Sequence, residues 1–263
     1  MVNEFAGQCG ECVKYNPTVG KFDNVNYRIR ADIEDDTGRL AILFDMDGVL
    51  VDVTSSYRRA IQETVCYFSG NEAPLEEIQA LKSKGGYNND WDLTEAILVS
   101  RGKNVPKIDI IEKFQELYRG TKDKEGYIES ERWLLSSQLL TRLKTRYALG
   151  IVTGRPRDEA LFVLRKFNMA HLFDVIVAME DYPPERSKPD PYAINLALSK
   201  ICIMDAIYIG DTIDDMIAAR RADVSPIGCI SPGVVDSQVR DLLVRNGAIA
   251  ILEDINDIER ILP

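Results

Sequence analysis

Short apolar runs recur along the chain and are its most regular feature. Each run is apolar almost throughout, without the alternation of apolar and polar positions that marks a half-exposed strand. This pattern is typical of parallel strands covered on both faces. The six runs are RLAILFD at 39–45, YALGIVTG at 147–154, FDVIVAM at 173–179, AIYIGD at 206–211, SPIGCI at 225–230 and AIAILED at 248–254.

Helical patterns separate most of the later runs. Strands and helices that alternate with short connections predict an α/β fold, a Rossmann-like doubly wound parallel sheet. In such a sheet, ligands bind beyond the carboxyl ends of the strands. The helical patterns lie at 157–169, 190–200 and 212–223, and another over 131–146 precedes the second run.

The segment between the first and second runs breaks this alternation, because it carries helical spacing and almost no strand signal. The sequence therefore predicts a Rossmann-like core formed by residues 39–53 and 129–263, with an all-helical insertion over 54–128. Residues 1–38 show weak periodicity and are interpreted as an N-terminal extension. The helical patterns of the insertion lie at 55–70, 74–84, 90–102 and 108–120.

The formal net charge is −10 and the isoelectric point is near 4.8. This balance argues against a nucleic-acid backbone or an anionic membrane surface as a partner. The chain has no apolar run of membrane-spanning length, and its N-terminus lacks a basic-then-apolar signal pattern. We therefore expect a cytoplasmic protein with no nucleic-acid or membrane partner, either a monomer or a homodimer.

Cysteine and histidine contribute little candidate chemistry. The five cysteines are odd in number and scattered, which favours reduced thiols over a disulfide framework. Cys9 and Cys12 have the spacing of a redox or metal motif, but no second pair completes a site. His171 is the one histidine, which excludes a multi-histidine metal site.

Polar residues stand where several of the predicted strands end. Asp45 and Asp47 follow the first strand, Thr153 ends the second, and Asp211 ends the fourth. Because the strands are parallel, these ends should meet at one edge of the sheet. Two carboxylates one residue apart are costly to bury unless a cation lies near them.

Four motifs stand in order along the chain: DMDG at 45–48, TGR at 153–155, SKPDP at 187–191 and GDTIDD at 210–215. Taken together, they resemble those of the haloacid dehalogenase superfamily, in the branch whose helical cap follows the first motif and which includes phosphoglycolate phosphatases and β-phosphoglucomutases. The resemblance covers roughly residues 39–254.

The resemblance implies two roles for the first motif. Asp45 would be the nucleophile that forms an aspartyl-phosphate, which splits one displacement into two easier ones. Asp47 would be the general acid and base, which protonates the leaving group and then activates water. An Asp at this second position is typical of the phosphatases and phosphomutases of the family, and it argues against carbon–halogen cleavage.

The resemblance also implies a bound Mg²⁺, a cation that prefers hard oxygen ligands. Its implied ligands are Asp45, the backbone carbonyl of Asp47, Asp211 and Asp215, the last acting directly or through a water. Asp214 is the less favoured alternative to Asp215.

Further residues are implied to hold the phosphoryl group. Thr153 would supply a hydroxyl and Gly154 a backbone amide. Lys188 would supply a positive charge. Arg155 is a further candidate for anion binding, and we favour it over Arg157.

The stretch KSKGGYNNDWDLT at 82–94 is the candidate specificity segment of the insertion. Lys82 and Lys84 could meet a second anionic group, and Asn88 and Asn89 offer polar contacts to a substrate. The alternative is an ordinary helix start rich in Asn and Asp. For Trp91 we favour a place in the core of the insertion.

The leading hypothesis is a Mg²⁺-dependent phosphomonoester hydrolase that acts on a small phosphorylated metabolite. A phosphomutase of the β-phosphoglucomutase type is the alternative enzyme. A noncatalytic binding or regulatory protein on the same fold is a third hypothesis, because a fold alone does not fix a function.

Overall fold

The structure is a computed structural model that describes residues 39–87, 89–234 and 238–263. The predicted extension over 1–38, with Cys9 and Cys12, lies outside the described residues, as does Asn88. In the described part, the strands are β1 (Ala41–Phe44), β2 (Val51–Asp52), β3 (Arg132–Trp133), β4 (Ala148–Val152), β5 (Val175–Val177), β6 (Ala206–Gly210), β7 (Ser225–Cys229) and β8 (Ala250–Leu252).

Six of these strands form one parallel sheet in the order β5–β4–β1–β6–β7–β8, and β2 pairs with β3 in a separate antiparallel ribbon. The predicted α/β doubly wound sheet is therefore confirmed. The helices are α1 (Tyr57–Ser69), α2 (Leu75–Lys82), α3 (Asp90–Ser100), α4 (Lys107–Arg119), α5 (Ser137–Arg146), α6 (Arg157–Lys166), α7 (Tyr192–Ile201), α8 (Ile213–Arg221) and α9 (Gln238–Arg245).

Strand β1 lies in the middle of the sheet, between β4 and β6, and its side chains are buried on both faces. Ile42 and Phe44 belong to the larger apolar cluster on one face, whereas Ala41 and Leu43 belong to a second cluster on the other face. This double burial explains why the strand is apolar at every position. It also places the residue after β1 at the centre of the carboxyl edge.

Helices α1 to α4, here called the inserted helices, lie between β1 and β4 in the chain and pack against one another. Tyr57 stacks on Tyr118 with ring centroids 4.2 Å apart, and Phe114 packs on both rings. The ribbon of β2 and β3 joins the chain segment that enters the inserted helices to the one that leaves them. The boundaries 54–128 for a separate domain stay a prediction.

The structure differs from the prediction in some elements. The helix predicted over 131–146 begins only at Ser137, because residues 132–133 form β3 instead. Helix α9 was not predicted from the sequence. Among the described residues, no helix is both long enough and apolar enough to cross a membrane.

Candidate active site

Asp45 directly follows β1 and is almost buried, with 4% of its surface exposed. Its backbone N–H donates to the carbonyl of Ile209 in the adjacent strand, at 2.8 Å. Burial raises the pKa of the Asp45 carboxyl well above its usual range, because Lys188 offsets the burial only in part. A carboxylate fixed at the centre of the carboxyl edge can act on a ligand bound there.

Lys188 supplies the nearest positive charge to Asp45. Its Nζ lies 3.0 Å from Oδ1 of Asp45 and 2.7 Å from Oδ1 of Asp215, and it also contacts the hydroxyl of Tyr208 at 3.1 Å. Burial opposes the charged form of Lys188, but Asp215 and Asp45 hold its pKa well above the usual range. The lysine therefore stays charged between the two acids.

Asp211 follows β6 and faces Asp45 across the edge of the sheet. The hydroxyl of Ser231 donates to its Oδ2. Burial and repulsion by Asp215 raise the pKa of Asp211 to about 6. Gly48, with φ +76°, allows the first loop to approach these groups, because a Cβ there would collide with Ser231 and Asp211.

Asp215 is fully buried and lies in the first turn of α8. Its Oδ2 accepts from the backbone N–H and the hydroxyl of Thr212, at 3.0 and 2.6 Å, in a capping box. Its Oδ1 accepts from Lys188 and Tyr208, at 2.7 and 3.1 Å. Since both oxygens already have donors, Asp215 fits an indirect role toward a metal better than a direct one.

Asp214, the less favoured acid in the sequence, contacts the inserted helices. Its carboxylate accepts from the backbone N–H of Gly86 at 2.8 and 3.1 Å. The side chain is buried rather than exposed to solvent. Asp214 thus ties the loop between α2 and α3 to the core.

Asp47 is less buried than Asp45, since 31% of its side chain is exposed. Nε of Arg155 donates to Oδ1 of Asp47 at 2.5 Å. The other side of the same guanidinium donates to the buried Glu131, at 2.9 and 3.0 Å. Burial raises the pKa of Asp47, and attraction to Arg155 offsets only part of the rise.

These bonds change the interpretation of Arg155. Its guanidinium is held by Asp47, Glu131 and Tyr118, and it is 1% exposed. Arg155 and Gly154 border a pocket that Asp45, Asp47 and Asp211 also line. The bonding of Arg155 fits the orientation of Asp47 better than the capture of a substrate anion. Arg157 lies farther out and pairs with Asp181.

Thr153 lies just beyond β4 and is buried. Its backbone N–H donates to Val177 at 2.9 Å, which continues the pairing with β5. Its hydroxyl accepts from the backbone N–H of Arg155 at 3.1 Å, which shapes the TGR turn. The structure thus places this motif at the same edge as the four acids.

Part of the predicted segment from 82 to 94 reaches the pocket, including Lys82 and Asn89. Lys82 lines the pocket and lies 2.8 Å from Asp90, whereas Lys84 is exposed. Burial opposes the charged form of Lys82, but Asp90 raises its pKa above the ordinary value. Asn89 caps α3, because its side-chain oxygen accepts from two backbone N–H groups at 2.9 and 3.4 Å. Trp91 packs against the core cluster and also borders the pocket.

The carboxylates at the edge of the sheet form a possible metal site. One oxygen each of Asp45, Asp211 and Asp215 lies within 4.8 Å of the other two. Lys188 is the cation between two of them, which leaves excess negative charge at this point. A group of hard oxygen ligands with excess negative charge fits a divalent cation such as Mg²⁺.

Comparisons with known proteins agree with this geometry. The family model described as haloacid dehalogenase-like hydrolase matches residues 42–229. The chain therefore belongs to the haloacid dehalogenase-like hydrolases, a family of enzymes.

Three of the known proteins that resemble the chain in sequence or structure are between 24% and 37% identical to it. Over 200 residues and 73% of its length, the chain is 37% identical to an imidazoleglycerol-phosphate dehydratase of Phytophthora nicotianae, of which the match covers only 43%. It is 26% identical to a phosphoglycolate phosphatase of Nitrosospira multiformis, over 73% of this chain and 83% of that protein. A solved hydrolase from Pseudomonas syringae has a TM-score of 0.66 at 24% identity, covering 84% of this chain and 97% of that one, and supports the fold.

Several residues of the site were not identified from the sequence. Ser231 stands just past β7, so the convergence of strand ends could have indicated it. Glu131 and Arg58 belong to no motif, and their positions depend on contacts with distant parts of the chain. Sequence spacing carries no signal for such contacts.

Proposed function

We propose that this chain is a Mg²⁺-dependent phosphatase that hydrolyses small phosphomonoesters through an aspartyl-phosphate at Asp45. The observation that carries the proposal is the position of Lys188, which lies between Asp45 and Asp215 where the acids that follow the adjacent strands β1 and β6 meet. A charged lysine beside a buried carboxylate can neutralise phosphoryl oxygens as they approach.

Asp45, Asp211 and the backbone carbonyl of Asp47 would hold the metal, and Asp215 would act through a water. When bound, Mg²⁺ supplies positive charge that offsets the repulsion between the carboxylates and the phosphoryl group. The three clustered carboxylates with a single lysine support this assignment.

The reaction would proceed in two displacements. An oxygen of Asp45 attacks phosphorus, the ester P–O bond breaks, and Asp47 gives its proton to the leaving oxygen. Water then attacks the aspartyl-phosphate, Asp47 takes a proton from it, and Asp45 is regenerated as inorganic phosphate departs. The bond from Nε of Arg155, which holds Asp47 at the border of the pocket, supports this role.

Other groups would bind the phosphoryl oxygens. Thr153 and the amide of Gly154 would donate hydrogen bonds, and Lys188 would contribute charge. The burial of Thr153 and Lys188 supports this arrangement, because a donor in a low-dielectric environment interacts more strongly than one in water.

The inserted helices would cover the pocket as a mobile cap and select the substrate. Arg58 and Lys82 line the pocket from this side. Arg58 is 9% exposed and donates to the carbonyl of Pro232 at 3.1 Å, and it forms no ion pair with any carboxylate of the described residues. A nearly buried guanidinium without a carboxylate partner favours an anionic ligand. We therefore infer that the substrate carries a second anionic group.

The similarity to a phosphoglycolate phosphatase supports this substrate class, because phosphoglycolate carries a carboxylate besides its phosphate. The imidazoleglycerol-phosphate dehydratase is likewise named for a phosphorylated small molecule. A phosphomutase and a noncatalytic binding protein remain the alternatives that the experiment must separate.

The test measures phosphate release from an aryl phosphate with Mg²⁺, in the unchanged protein and in Asp45→Asn. Release that depends on Mg²⁺ and disappears in the variant supports the phosphatase. Dependence on a bisphosphate activator would indicate a mutase. Metal binding with no turnover on any monoester would indicate a binding protein.

The substrate class is tested by comparing phosphoglycolate with ethyl phosphate, which lacks the carboxylate. Arg58→Met should lower kcat/KM for phosphoglycolate by about tenfold or more, because one charged hydrogen bond is lost. The same variant should change kcat/KM for ethyl phosphate little. Arg59→Met is the matched control, since Arg59 is exposed and pairs with Glu63. Equal losses on both substrates would contradict the assignment.

A further inference from the structure

Glu131 is a buried acid outside the four motifs, yet it is connected to the proposed general acid. It is 3% exposed and lies immediately before β3. One oxygen of its carboxylate accepts from the hydroxyls of Ser56 and Tyr118, at 2.8 and 3.0 Å. Both oxygens accept from Arg155. A buried carboxylate with this many donors is held in one orientation.

This two-oxygen contact fixes the plane of the Arg155 guanidinium. A fork of parallel N–H donors on a carboxylate has little rotational freedom. With NH1 and NH2 directed at Glu131, Nε is directed at Oδ1 of Asp47, at 2.5 Å. The ring of Tyr57 lies against the same guanidinium, 4.9 Å from its centre. The orientation of Asp47 therefore depends on Glu131, through Arg155.

Residues from both ends of the inserted helices complete this arrangement. Tyr57 begins α1 and Tyr118 is next to the last residue of α4. Ser56 precedes α1 and donates to Glu131. Contacts to the inserted helices and the orientation of Asp47 are thus parts of one buried network.

We propose that Glu131 and Arg155 are positioning residues that hold the Asp47 carboxyl toward the leaving group of the substrate. The inference rests on the proposed phosphatase function. Glu131→Gln would replace one acceptor oxygen with an NH₂ group that faces the N–H donors of Arg155. The guanidinium would then turn, and Nε would no longer hold Asp47.

The test uses the dependence of kcat/KM on the leaving group. This ratio reports the steps up to transfer of the phosphoryl group to Asp45, and a poor leaving group needs a proton in that step whereas a good one does not. Glu131→Gln should lower kcat/KM for an alkyl phosphate by about 30-fold, a part of what a general acid contributes. For 2,4-dinitrophenyl phosphate, kcat/KM of the same variant should stay close to that of the unchanged protein.

Two further variants keep the test decisive. Glu129→Gln is the matched control, because Glu129 lies two residues before Glu131 but is exposed and pairs with Lys166. Tyr118→Phe removes only the hydroxyl that contacts Glu131 and Arg155, so it serves if Glu131→Gln does not fold. Tyr118→Phe should also lower kcat/KM for the alkyl phosphate more than for 2,4-dinitrophenyl phosphate, but by a smaller factor than Glu131→Gln.

The outcomes separate the two proposals. A loss confined to the alkyl phosphate supports the positioning role. Equal losses on both substrates, or no loss on either, would overturn it and leave the phosphatase intact. If the unchanged protein hydrolyses neither substrate with Mg²⁺ present, the proposed function itself fails.

Discussion

Asp45 and Asp47 are separated by one residue, but their surroundings differ. Asp45 is buried beside Lys188, whereas Asp47 is partly open to the pocket and held by Arg155. Two carboxylates in different environments can take different roles, one as nucleophile and the other as acid. Gly48, with its positive φ, allows the chain to turn directly after the second acid.

The role of Asp47 can be separated from metal binding. We expect Asp47→Ala to lower kcat by about 100-fold or more, since the proposed general acid is lost. Mg²⁺ affinity should stay close to that of the unchanged protein, because only the backbone carbonyl of residue 47 is proposed as a ligand. Steady-state kinetics and calorimetric Mg²⁺ titration measure the two effects. A variant that loses the metal and keeps its rate would contradict the assignment.

At the scale of the elements, helix starts place several of the site residues. Thr212 and Asp215 form the capping box of α8, and this same turn carries the acid that contacts Lys188. Asn89 caps α3 at the border of the pocket. Residues that cap helices α3 and α8 therefore also lie at the pocket or contact the proposed catalytic residues.

The cap of α3 gives a prediction about Asn89. Asn89→Ala should lower the free energy of unfolding by about 1 kcal/mol, because two N–H groups lose their acceptor. Asn89→Ser should recover most of this stability, and its kcat/KM should match the unchanged protein. Urea unfolding and kinetics on one phosphomonoester measure both effects. A stable Ser variant with a large loss of kcat/KM would show instead that Asn89 binds the substrate.

Elements with a continuous periodicity could be predicted from the sequence, and those defined by distant contacts could not. The six sheet strands can be predicted from their apolar runs, and burial on both faces is complete in β1, β4 and β6. The start of α5 was misplaced because Trp133, Leu134 and Leu135 fit a helical pattern, although β3 pairs with β2 there. The motifs at the strand ends indicated that the acids share one edge of the sheet, where Asp45, Asp211 and Asp215 lie close together. The partners of Arg155 arise from packing between segments far apart in the chain, which spacing does not indicate.

Across the whole molecule, the net charge is −10, and the pocket itself is lined by acids as well as cations. Arg58 and Lys82 border the pocket, and Lys188 lies behind Asp45. Local cations of this kind can attract an anionic substrate against the overall field. The inserted helices bring two of them to the site.

The entry to the inserted helices gives a prediction about acid stability. Burial opposes ionisation of Asp52, but hydrogen bonds from Thr54 and Arg132 outweigh it and lower the pKa of Asp52. Its stabilising effect is therefore complete above the unfolded pKa of about 3.9 and disappears as pH falls through the lower native pKa. The difference in unfolding free energy between the unchanged protein and Asp52→Asn should be constant near neutral pH. It should become smaller as the pH falls below the unfolded pKa of about 3.9. Urea unfolding over a pH series measures this difference, and one that is the same at every pH would contradict the expectation.

The proposed mechanism requires that Asp45 carries the phosphoryl group during turnover. This step is measured by quenching the working enzyme with acid, reducing it with borohydride and locating the modified residue by peptide mass spectrometry. Borohydride converts an aspartyl-phosphate into homoserine, so we expect homoserine at position 45 only when both Mg²⁺ and substrate are present. Homoserine at another aspartate, or none while phosphate is released at the full rate, would contradict it.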